Sequence, residues 1–428
     1  MIGIRRSSQS MIAHRISRLG ASLLLLLINV FCFASPVIAA EEEQDQLKLA
    51  SESAILMDAR TGIVLVQKNA EKQQFPASIT KIVTGIVAIE NESVLSNVVT
   101  VSKEARREDG TRIYLAEGEQ VTLDKLLFGM LMNSGNDAAT AIAEYIDGSK
   151  AKFAERMNAF VKEKAGAEHT NFVNPSGLPD KAQVTTALDM ARISRYAMQN
   201  ETFRKIVATK KMPWVGQEWT SSLINHNQLL KDYDGATGIK NGYTEASGFT
   251  LVGSAKRGDM ELIGVLLKSP SKSAVYSDMR NLLDFGFEHF ELKQLLSANQ
   301  AYPFESAEPA EFITREPIWT VVPKGETPSV SVNVQGEVIV QSSMGLVTAG
   351  IMEPVKPELP VVALSAPAAE PEQVPEMSSA ASVQLEKQEP SGSTNLTIFL
   401  TWLGLIVYLA ILAYIRFNRK KRERSRGL

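Results

Sequence analysis

Residues 45–291 carry strand-like runs at both ends and helical runs between them, and this order constrains the fold more than any other feature. Two short apolar runs flank Asp58-Ala-Arg-Thr-Gly62, a pattern typical of a β-hairpin. Apolar residues then recur at helical intervals, and Thr122 can cap the helix that starts at Leu123. Further helices are predicted at 138–146, 153–165, 186–198 and 273–290. Three later strands are predicted at 238–244, 248–255 and 260–268. The order predicts one α/β domain with a sheet and helices packed in layers.

A Pro-headed segment, Phe75-Pro-Ala-Ser-Ile-Thr-Lys-Ile-Val-Thr-Gly85, precedes an apolar run and predicts the start of a helix. Ser78 and Lys81 lie three residues apart in it and would share one helix face. A serine nucleophile with a lysine base is a known variant of the catalytic triad. The same spacing recurs at Ser149–Lys152 and Ser269–Lys272, but neither of these opens an apolar helix. The spacing alone is therefore weak evidence.

Ser134-Gly135-Asn136 interrupts two predicted helices, where a hydroxyl could relay a proton and an amide could hold a substrate carbonyl. The alternative interpretation is an ordinary helix-ending turn. Lys240-Asn241-Gly242 lies in a predicted strand, where the lysine supplies a second cation and the glycine permits close approach of another backbone. Its alternative is a hairpin turn, because Asn-Gly is a strong hairpin signal. The order of the three motifs makes coincidence a poor explanation.

The cysteine and histidine content limits the catalytic mechanisms that the chain can use. Cys32 is the single cysteine, and His169, His226 and His289 show no His-Glu-x-x-His spacing. No Gly-x-Ser-x-Gly elbow is present either. We therefore expect neither a metal nor another cofactor, and base catalysis falls to lysine, whose pKa burial and a second cation can lower.

The two ends predict export and anchoring. A basic start, the run Leu23-Leu-Leu-Leu-Leu27 and small residues before Ala40 are typical of a signal peptide at residues 1–40. An N-terminal membrane anchor is the alternative. Residues 396–415 carry no charge and are long enough to span a membrane as a helix, and the basic tail at 416–428 predicts a cytoplasmic C-terminus. The prediction is a single-pass cell-membrane protein with its enzyme domain outside the cytoplasm.

Two further segments are predicted between the enzyme domain and the membrane span. Residues 292–351 alternate strand-like runs with turns and predict a small β domain. Residues 352–395 are rich in Pro, Ala and Glu and predict an extended spacer. The whole chain has a formal charge of −3 although both ends are basic, so the exported part is acidic. This charge argues against nucleic acid as a partner.

The three motifs and their surroundings resemble the serine-type D-alanyl-D-alanine carboxypeptidases among the low-molecular-mass penicillin-binding proteins. That family carries Ser-x-x-Lys, Ser-x-Asn and Lys-Thr-Gly, and its flanking patterns are matched by Pro-Ala-Ser-Ile-Thr-Lys, Leu-Met-Asn-Ser-Gly-Asn-Asp-Ala-Ala and Phe-Val-Asn-Pro-Ser-Gly-Leu. The resemblance covers about residues 50–290. It implies a transpeptidase domain like that of penicillin-binding proteins and β-lactamases, with an antiparallel sheet packed against helices.

The resemblance also implies a mechanism. Ser78 would attack the terminal D-Ala-D-Ala bond of a peptidoglycan stem peptide, Lys81 would take its proton, and Ser134 would help to protonate the leaving D-Ala. Substrate-binding roles would fall to Asn136, Lys240, Asn241, Gly242 and Tyr243, the backbone N–H of Tyr243 joining that of Ser78 around the oxyanion. β-Lactams would acylate the same serine.

Two positions depart from the family pattern. Asn241 replaces the usual Thr, although its amide can also donate a hydrogen bond to a carboxylate, so we expect activity with altered substrate or β-lactam preference. His226 lies where some relatives carry Arg, so a positive charge could be missing at neutral pH. The alternatives are a β-lactamase or D,D-transpeptidase on the same fold, or a catalytically weak cell-wall-binding protein.

Overall fold

The structure is a computed structural model that describes residues 47–299, 301–304 and 310–355. Its helices are α1 (Lys81–Asn91), α2 (Lys103–Arg106), α3 (Leu123–Asn133), α4 (Asn136–Asp147), α5 (Lys150–Ala165), α6 (Ala187–Ala197), α7 (Glu201–Ala208), α8 (Leu229–Asp232) and α9 (Lys272–His289). Its first strands are β1 (Ser53–Asp58), β2 (Val64–Lys68), β3 (Val98–Thr100), β4 (Gln120–Thr122), β5 (Lys211–Val215), β6 (Thr220–Ile224), β7 (Ala236–Thr244), β8 (Gly248–Arg257) and β9 (Met260–Ser269). The later strands are β10 (Phe290–Leu296), β11 (Ala301–Phe304), β12 (Ala310–Ile313), β13 (Ile318–Pro323), β14 (Ser329–Val332), β15 (Glu337–Ser342), β16 (Gly345–Ile351) and β17 (Glu353–Pro354).

A five-stranded antiparallel sheet in the order β2-β1-β9-β8-β7 organises the part of the chain that contains Ser78. Strand β1 pairs with both β2 and β9, so the N-terminal hairpin joins the three later strands in one sheet. The predicted hairpin and the predicted α/β layers are therefore confirmed. Strand β7, which carries Lys240, lies at the edge of the sheet opposite β2.

Both faces of this sheet are covered. On β9, Ile263 and Val265 belong to the hydrophobic core shared with α1, α3 and α4, whereas Leu262 and Leu266 belong to the core shared with α9. Successive strand residues point to opposite faces, so a strand covered on both sides is apolar at nearly every position. The unbroken apolar run in this strand follows from that double burial.

The predicted helices are found with small shifts at their ends. The Thr122 hydroxyl accepts a hydrogen bond from the backbone N–H of Lys125 at 3.3 Å, which caps α3 as expected. Helices α4, α5, α6 and α9 correspond to the four other predicted helices. Helix α7 and the β5–β6 hairpin were not predicted. Pro213 lies within β5, and proline in a short run argues against a strand unless the strand is at an edge.

The remaining described strands form five small antiparallel sheets, β3-β4, β5-β6, β10-β13, β11-β12-β17 and β14-β15-β16. Strands β12 to β16 lie within the β region predicted at 292–351. Ile318, Val338 and Met352 contribute to a third core. Strand β10 was not predicted; it follows α9 directly and crosses the expected boundary at residue 291. The division into domains at 45–291 and 292–351 stays a prediction.

The predicted signal peptide, membrane span and basic tail lie outside the described residues, as does most of the predicted spacer. Within residues 47–299, 301–304 and 310–355, no helix combines the length and the apolar character needed to cross a membrane.

Candidate active site

Ser78 lies on a single turn of 3₁₀ helix, Ala77–Thr80, which runs directly into α1. Ala77 has a φ of 51°, in the left-handed region that costs a residue with a Cβ atom energy. Gly177 packs against this turn, because a Cβ atom on Gly177 would lie 1.9 Å from the Ala77 carbonyl oxygen. Only glycine fits here, so the loop that contains it supports the turn carrying Ser78.

Lys81 is fully buried, and its amine has three neighbours. Its Nζ lies 3.1 Å from Ser78 Oγ, 2.6 Å from Asn136 Oδ1 and 2.6 Å from the Ser176 carbonyl oxygen. The last two atoms can only accept hydrogen bonds. A neutral amine would donate to both and keep its lone pair for the Ser78 hydroxyl. The predicted Ser78–Lys81 pair is therefore in contact.

The pKa of Lys81 is held well below its usual value, first by burial and then by the positive charge of Lys240. Burial removes water that would stabilise the ammonium, and a like charge adds repulsion. Both effects favour the neutral amine that can accept a proton. They are the effects that the sequence predicted for a lysine base.

Asn136 is fixed on both sides of its amide. Its Nδ2 donates to the Asp109 carbonyl oxygen at 2.6 Å, so its Oδ1 faces Lys81, and its backbone N–H donates to the Thr111 carbonyl oxygen at 2.7 Å. The residue begins α4, just after the chain turns out of α3 at Ser134. Ser134 has a φ of 62°, which ends α3 and turns its side chain toward Lys240.

Lys240 is buried, and its Nζ lies 3.2 Å from Ser134 Oγ and 2.9 Å from the Asn241 carbonyl oxygen. Burial lowers the pKa of Lys240 to about 7. Strand β7 thus brings the second cation against Ser134 and within electrostatic range of Lys81, as predicted. The three motifs converge from α1, the α3–α4 junction and β7.

Gly242 allows β7 to pass close to the Ser78 turn. A Cβ atom on Gly242 would lie 2.6 Å from Thr250 Oγ1 and 2.7 Å from the Ser78 backbone nitrogen. The following residue, Tyr243, is 56% exposed and its ring lies 4.4 Å from that of Phe249. The backbone of β7 therefore borders the Ser78 N–H, where an oxyanion would need donors.

Asn241 and His226 line one cavity beside Lys240. Within the described chain, no hydrogen bond engages the side-chain amide of Asn241, which leaves it free to donate to a ligand. The pKa of His226 falls to about 4, first because of burial and then because of Lys240 and Lys272. The imidazole is thus neutral at pH 7, as its substitution for Arg suggested.

Two residues that support the active site, Ser176 and Asn174, were not predicted from the sequence. The Ser176 carbonyl contacts Lys81 through its backbone, so its side chain gives no signal. The Asn174 side chain accepts hydrogen bonds from the backbone N–H groups of Ser176 and Gly177, and this Asx turn holds the carbonyl in place. Asn-Pro-Ser-Gly at 174–177 was the available signal, and it predicted only a loop.

Comparisons with known proteins agree with this geometry. A family model described as D-alanyl-D-alanine carboxypeptidase matches residues 39–271. The chain is 33% identical to D-alanyl-D-alanine carboxypeptidase DacF of Bacillus subtilis over 318 residues, which cover 71% of this chain and 81% of that relative. It is 32% identical to D-alanyl-D-alanine carboxypeptidase DacD of Escherichia coli, with coverage of 65% and 75%.

Solved structures are similar as well. Penicillin binding protein 5 from Haemophilus influenzae matches with a TM-score of 0.65 and 26% identity, over 72% of this chain and 97% of that one. The Streptomyces K15 DD-transpeptidase matches with a TM-score of 0.53 and 30% identity, over 56% and 98%. The predicted fold of the penicillin-binding proteins is confirmed. The chain belongs to the D-alanyl-D-alanine carboxypeptidase family.

Proposed function

We propose that this protein is a serine D,D-carboxypeptidase that removes the terminal D-Ala from peptidoglycan stem pentapeptides through an acyl-enzyme at Ser78. One observation carries the proposal most directly. In a chain of this family, Ser78 Oγ lies 3.1 Å from the buried amine of Lys81, whose pKa is well below its usual value. A serine hydroxyl beside a neutral amine is an activated nucleophile.

The first half of the reaction forms the acyl-enzyme. Ser78 Oγ bonds to the carbonyl carbon of the scissile D-Ala-D-Ala amide while its proton passes to Lys81 Nζ. The backbone N–H groups of Ser78 and Tyr243 stabilise the oxyanion. The C–N bond then breaks, and the leaving amine takes a proton that Ser134 helps to deliver. Free D-Ala departs.

The second half restores the enzyme. A water oxygen attacks the ester carbon while its proton passes to Lys81 Nζ. The C–O bond to Ser78 then breaks, Ser78 Oγ takes the proton back, and the tetrapeptide acid leaves. Lys240 and the Asn241 amide hold the terminal carboxylate of the substrate, and Asn136 holds a substrate carbonyl. A β-lactam presents a strained amide and a carboxylate to the same groups, so it acylates Ser78 too.

The test is release of D-Ala from a stem pentapeptide by the full-length protein. One D-Ala should appear for each tetrapeptide formed, and Ser78→Ala should reduce the rate to below about one-thousandth. Ser149→Ala is a matched control, because Ser149–Lys152 has the same spacing but Ser149 caps α5 instead. Undiminished release by Ser78→Ala would contradict the assignment of the nucleophile.

A second candidate is a D,D-transpeptidase, because the Streptomyces K15 protein with 30% identity is named one. The two reactions share the acyl-enzyme and differ in the group that attacks it, water or an amine. Supplying an acceptor amine with the pentapeptide and measuring cross-linked product against free tetrapeptide distinguishes them. The carboxypeptidase assignment predicts that tetrapeptide remains the main product.

We also propose that the chain is exported by the signal peptide at 1–40 and tethered by the span at 396–415. The enzyme domain (45–291) and the small β domain (292–351) would then stand off the membrane on the spacer at 352–395, with the tail in the cytoplasm. Cell fractionation tests this arrangement. The full chain should sediment with membranes, and a chain ending at residue 355 should not.

A further inference from the structure

A cavity of about 540 Å³ opens beside Asn241, on the strand that carries Lys240. Ile224, His226 and Leu230 form part of its wall. Its volume falls within the range of small-molecule sites and far exceeds the space that one methyl group fills. The cavity is therefore larger than the side chain of a terminal D-Ala requires.

The charged side chains that line the cavity are all positive. Lys210, Lys231 and Lys272 line it, and all three are exposed. Among the residues that the structure describes, neither Asp nor Glu lines this cavity. None of the ion pairs in that part of the chain involves one of these three lysines. Asp232 adjoins Lys231 in sequence but is not part of the lining. His226 is neutral at pH 7 because its pKa is about 4, so the lysines alone supply the charge.

We propose that this cavity receives the side chain of the leaving residue and favours D-amino acids with a carboxylate side chain, such as D-Glu and D-Asp. The inference rests on the proposed function, which places the leaving residue's main-chain carboxylate at Lys240 and Asn241. Asn241 also lines the cavity, so the side chain of the leaving residue lies next to the cavity when its main-chain carboxylate is bound at Asn241. A second carboxylate there would meet the three lysines.

The same charge disfavours cationic groups. A leaving residue with a lysine-like side chain would place its ammonium among Lys210, Lys231 and Lys272. An acceptor that attacks the acyl-enzyme through a neutral amine arrives from the side of the departed residue, so an acceptor that carries a second, cationic group would meet the same repulsion. The cavity therefore also favours hydrolysis over transfer to an acceptor with a cationic side chain.

The experiment uses the full-length protein and four pentapeptides that differ only in the fifth residue: D-Ala, D-Glu, D-Gln and D-Lys. Release of the fifth residue gives kcat/KM for each peptide. D-Glu and D-Gln have nearly the same shape, so their ratio isolates charge. We expect D-Glu to exceed D-Gln by about threefold to tenfold, because exposed ion pairs are individually weak. D-Lys should fall below D-Gln.

Variants locate the effect. Replacing the three lysines together (Lys210→Gln, Lys231→Gln, Lys272→Gln) should bring the D-Glu to D-Gln ratio close to one. Lys211→Gln is the matched control, because Lys211 is an exposed neighbour of Lys210 that does not line the cavity. Its ratio should equal that of the parent. In the unmodified protein, raising the salt concentration to about 0.5 M should also reduce the ratio, since salt screens exposed charges.

Three outcomes overturn the inference. A D-Glu to D-Gln ratio of one or less in the parent contradicts it, provided D-Ala is released normally. A ratio that persists both in the triple variant and at high salt contradicts the role of the lysines. Failure to release the fifth residue from any of the four peptides, D-Ala included, would instead overturn the proposed function, and this inference with it.

Discussion

Lys81 and Lys240 have different roles because their surroundings differ. Lys81 contacts Ser78, Asn136 and the Ser176 carbonyl, and its pKa is lowered by burial and by Lys240. The pKa of Lys240 is lowered by burial alone, to about 7, so Lys240 keeps part of its charge at neutral pH. The first lysine is suited to accept a proton and the second to attract a carboxylate.

Lys240→Gln should shift the acid limb of the acylation rate to higher pH. Lys240 lowers the pKa of Lys81, so removing its charge raises that pKa, and Lys81 becomes neutral only at higher pH. The rate of acylation by penicillin, measured from pH 4 to 10, reports this limb. An acid limb that stays in place or moves to lower pH would contradict the coupling of the two lysines.

Asn241→Thr should keep the enzyme active and change its preference. Both side chains can donate a hydrogen bond to a carboxylate, and Thr suits a strand position. We expect kcat/KM for the pentapeptide to change by less than about tenfold, with a different ratio of peptide turnover to penicillin acylation. Steady-state kinetics on both substrates checks this. A loss of more than about a hundredfold would mean that Asn241 has a role Thr cannot take.

At the scale of elements, the active site depends on two close backbone contacts. One is the loop at 174–178 against the Ser78 turn, where Gly177 meets Ala77. The other is β7 against the same turn, where Gly242 meets the Ser78 backbone nitrogen. Each contact leaves no room for a Cβ atom. The Ser78 turn is thus held between a loop and a strand that are distant in sequence.

Gly242→Ala should slow acylation by about a hundredfold to a thousandfold while the protein still folds. The new Cβ atom would lie 2.6 Å from Thr250 Oγ1 and 2.7 Å from the Ser78 nitrogen, so β7 must move away. Losing one oxyanion donor costs about a hundredfold to a thousandfold in rate, and overpacking costs about 1–3 kcal/mol of stability. Penicillin acylation and thermal unfolding measure the two effects. Acylation at the parental rate would show that β7 does not border the oxyanion.

Asn174→Ala should lower kcat/KM by about tenfold, because a misplaced catalytic group loses rate readily. Asn174 Oδ1 accepts hydrogen bonds from the backbone N–H groups of Ser176 and Gly177. The Ser176 carbonyl oxygen in turn contacts Lys81 Nζ. Asn171→Ala is the control, since the Asn171 side chain donates to the Ala182 carbonyl and accepts a hydrogen bond from Asn158 Nδ2, and it does not hold Ser176 or Gly177. Equal losses in the two variants would mean a general effect of the loop.

The sequence predicted those features that local patterns encode. Thr122 capping α3, the Ser78–Lys81 spacing and the strand around Lys240 were all readable because side-chain type and spacing determine them. Ser176 was not, because its contribution is a backbone carbonyl fixed by a turn. The β5–β6 hairpin was missed because Pro213 obscures it, and α7 because it is only eight residues long. Prediction from the sequence therefore succeeded where neighbouring side chains determine the structure and failed where they do not.

At the scale of the whole molecule, the site joins parts of the chain that are far apart in sequence. Ser78 follows the first hairpin, Ser134 lies among the helices, and Lys240 lies on β7, at the sheet edge opposite β2. The sheet closes only when β9 pairs with β1, so the site forms only when both ends of the domain are present. The region after residue 291 contacts the β1–β2 hairpin, where the Arg60 guanidinium lies 4.6 Å from the Trp319 ring.

The central claim is that Ser78 is the nucleophile, and the most direct test is where the protein is acylated. The full-length protein is incubated with benzylpenicillin, digested and analysed by mass spectrometry, beside Ser78→Ala and the control Ser149→Ala. The account predicts one penicilloyl group on the peptide containing Ser78 in the parent and in Ser149→Ala, and no adduct in Ser78→Ala. An adduct on another residue, or an unmodified parent protein, would contradict it.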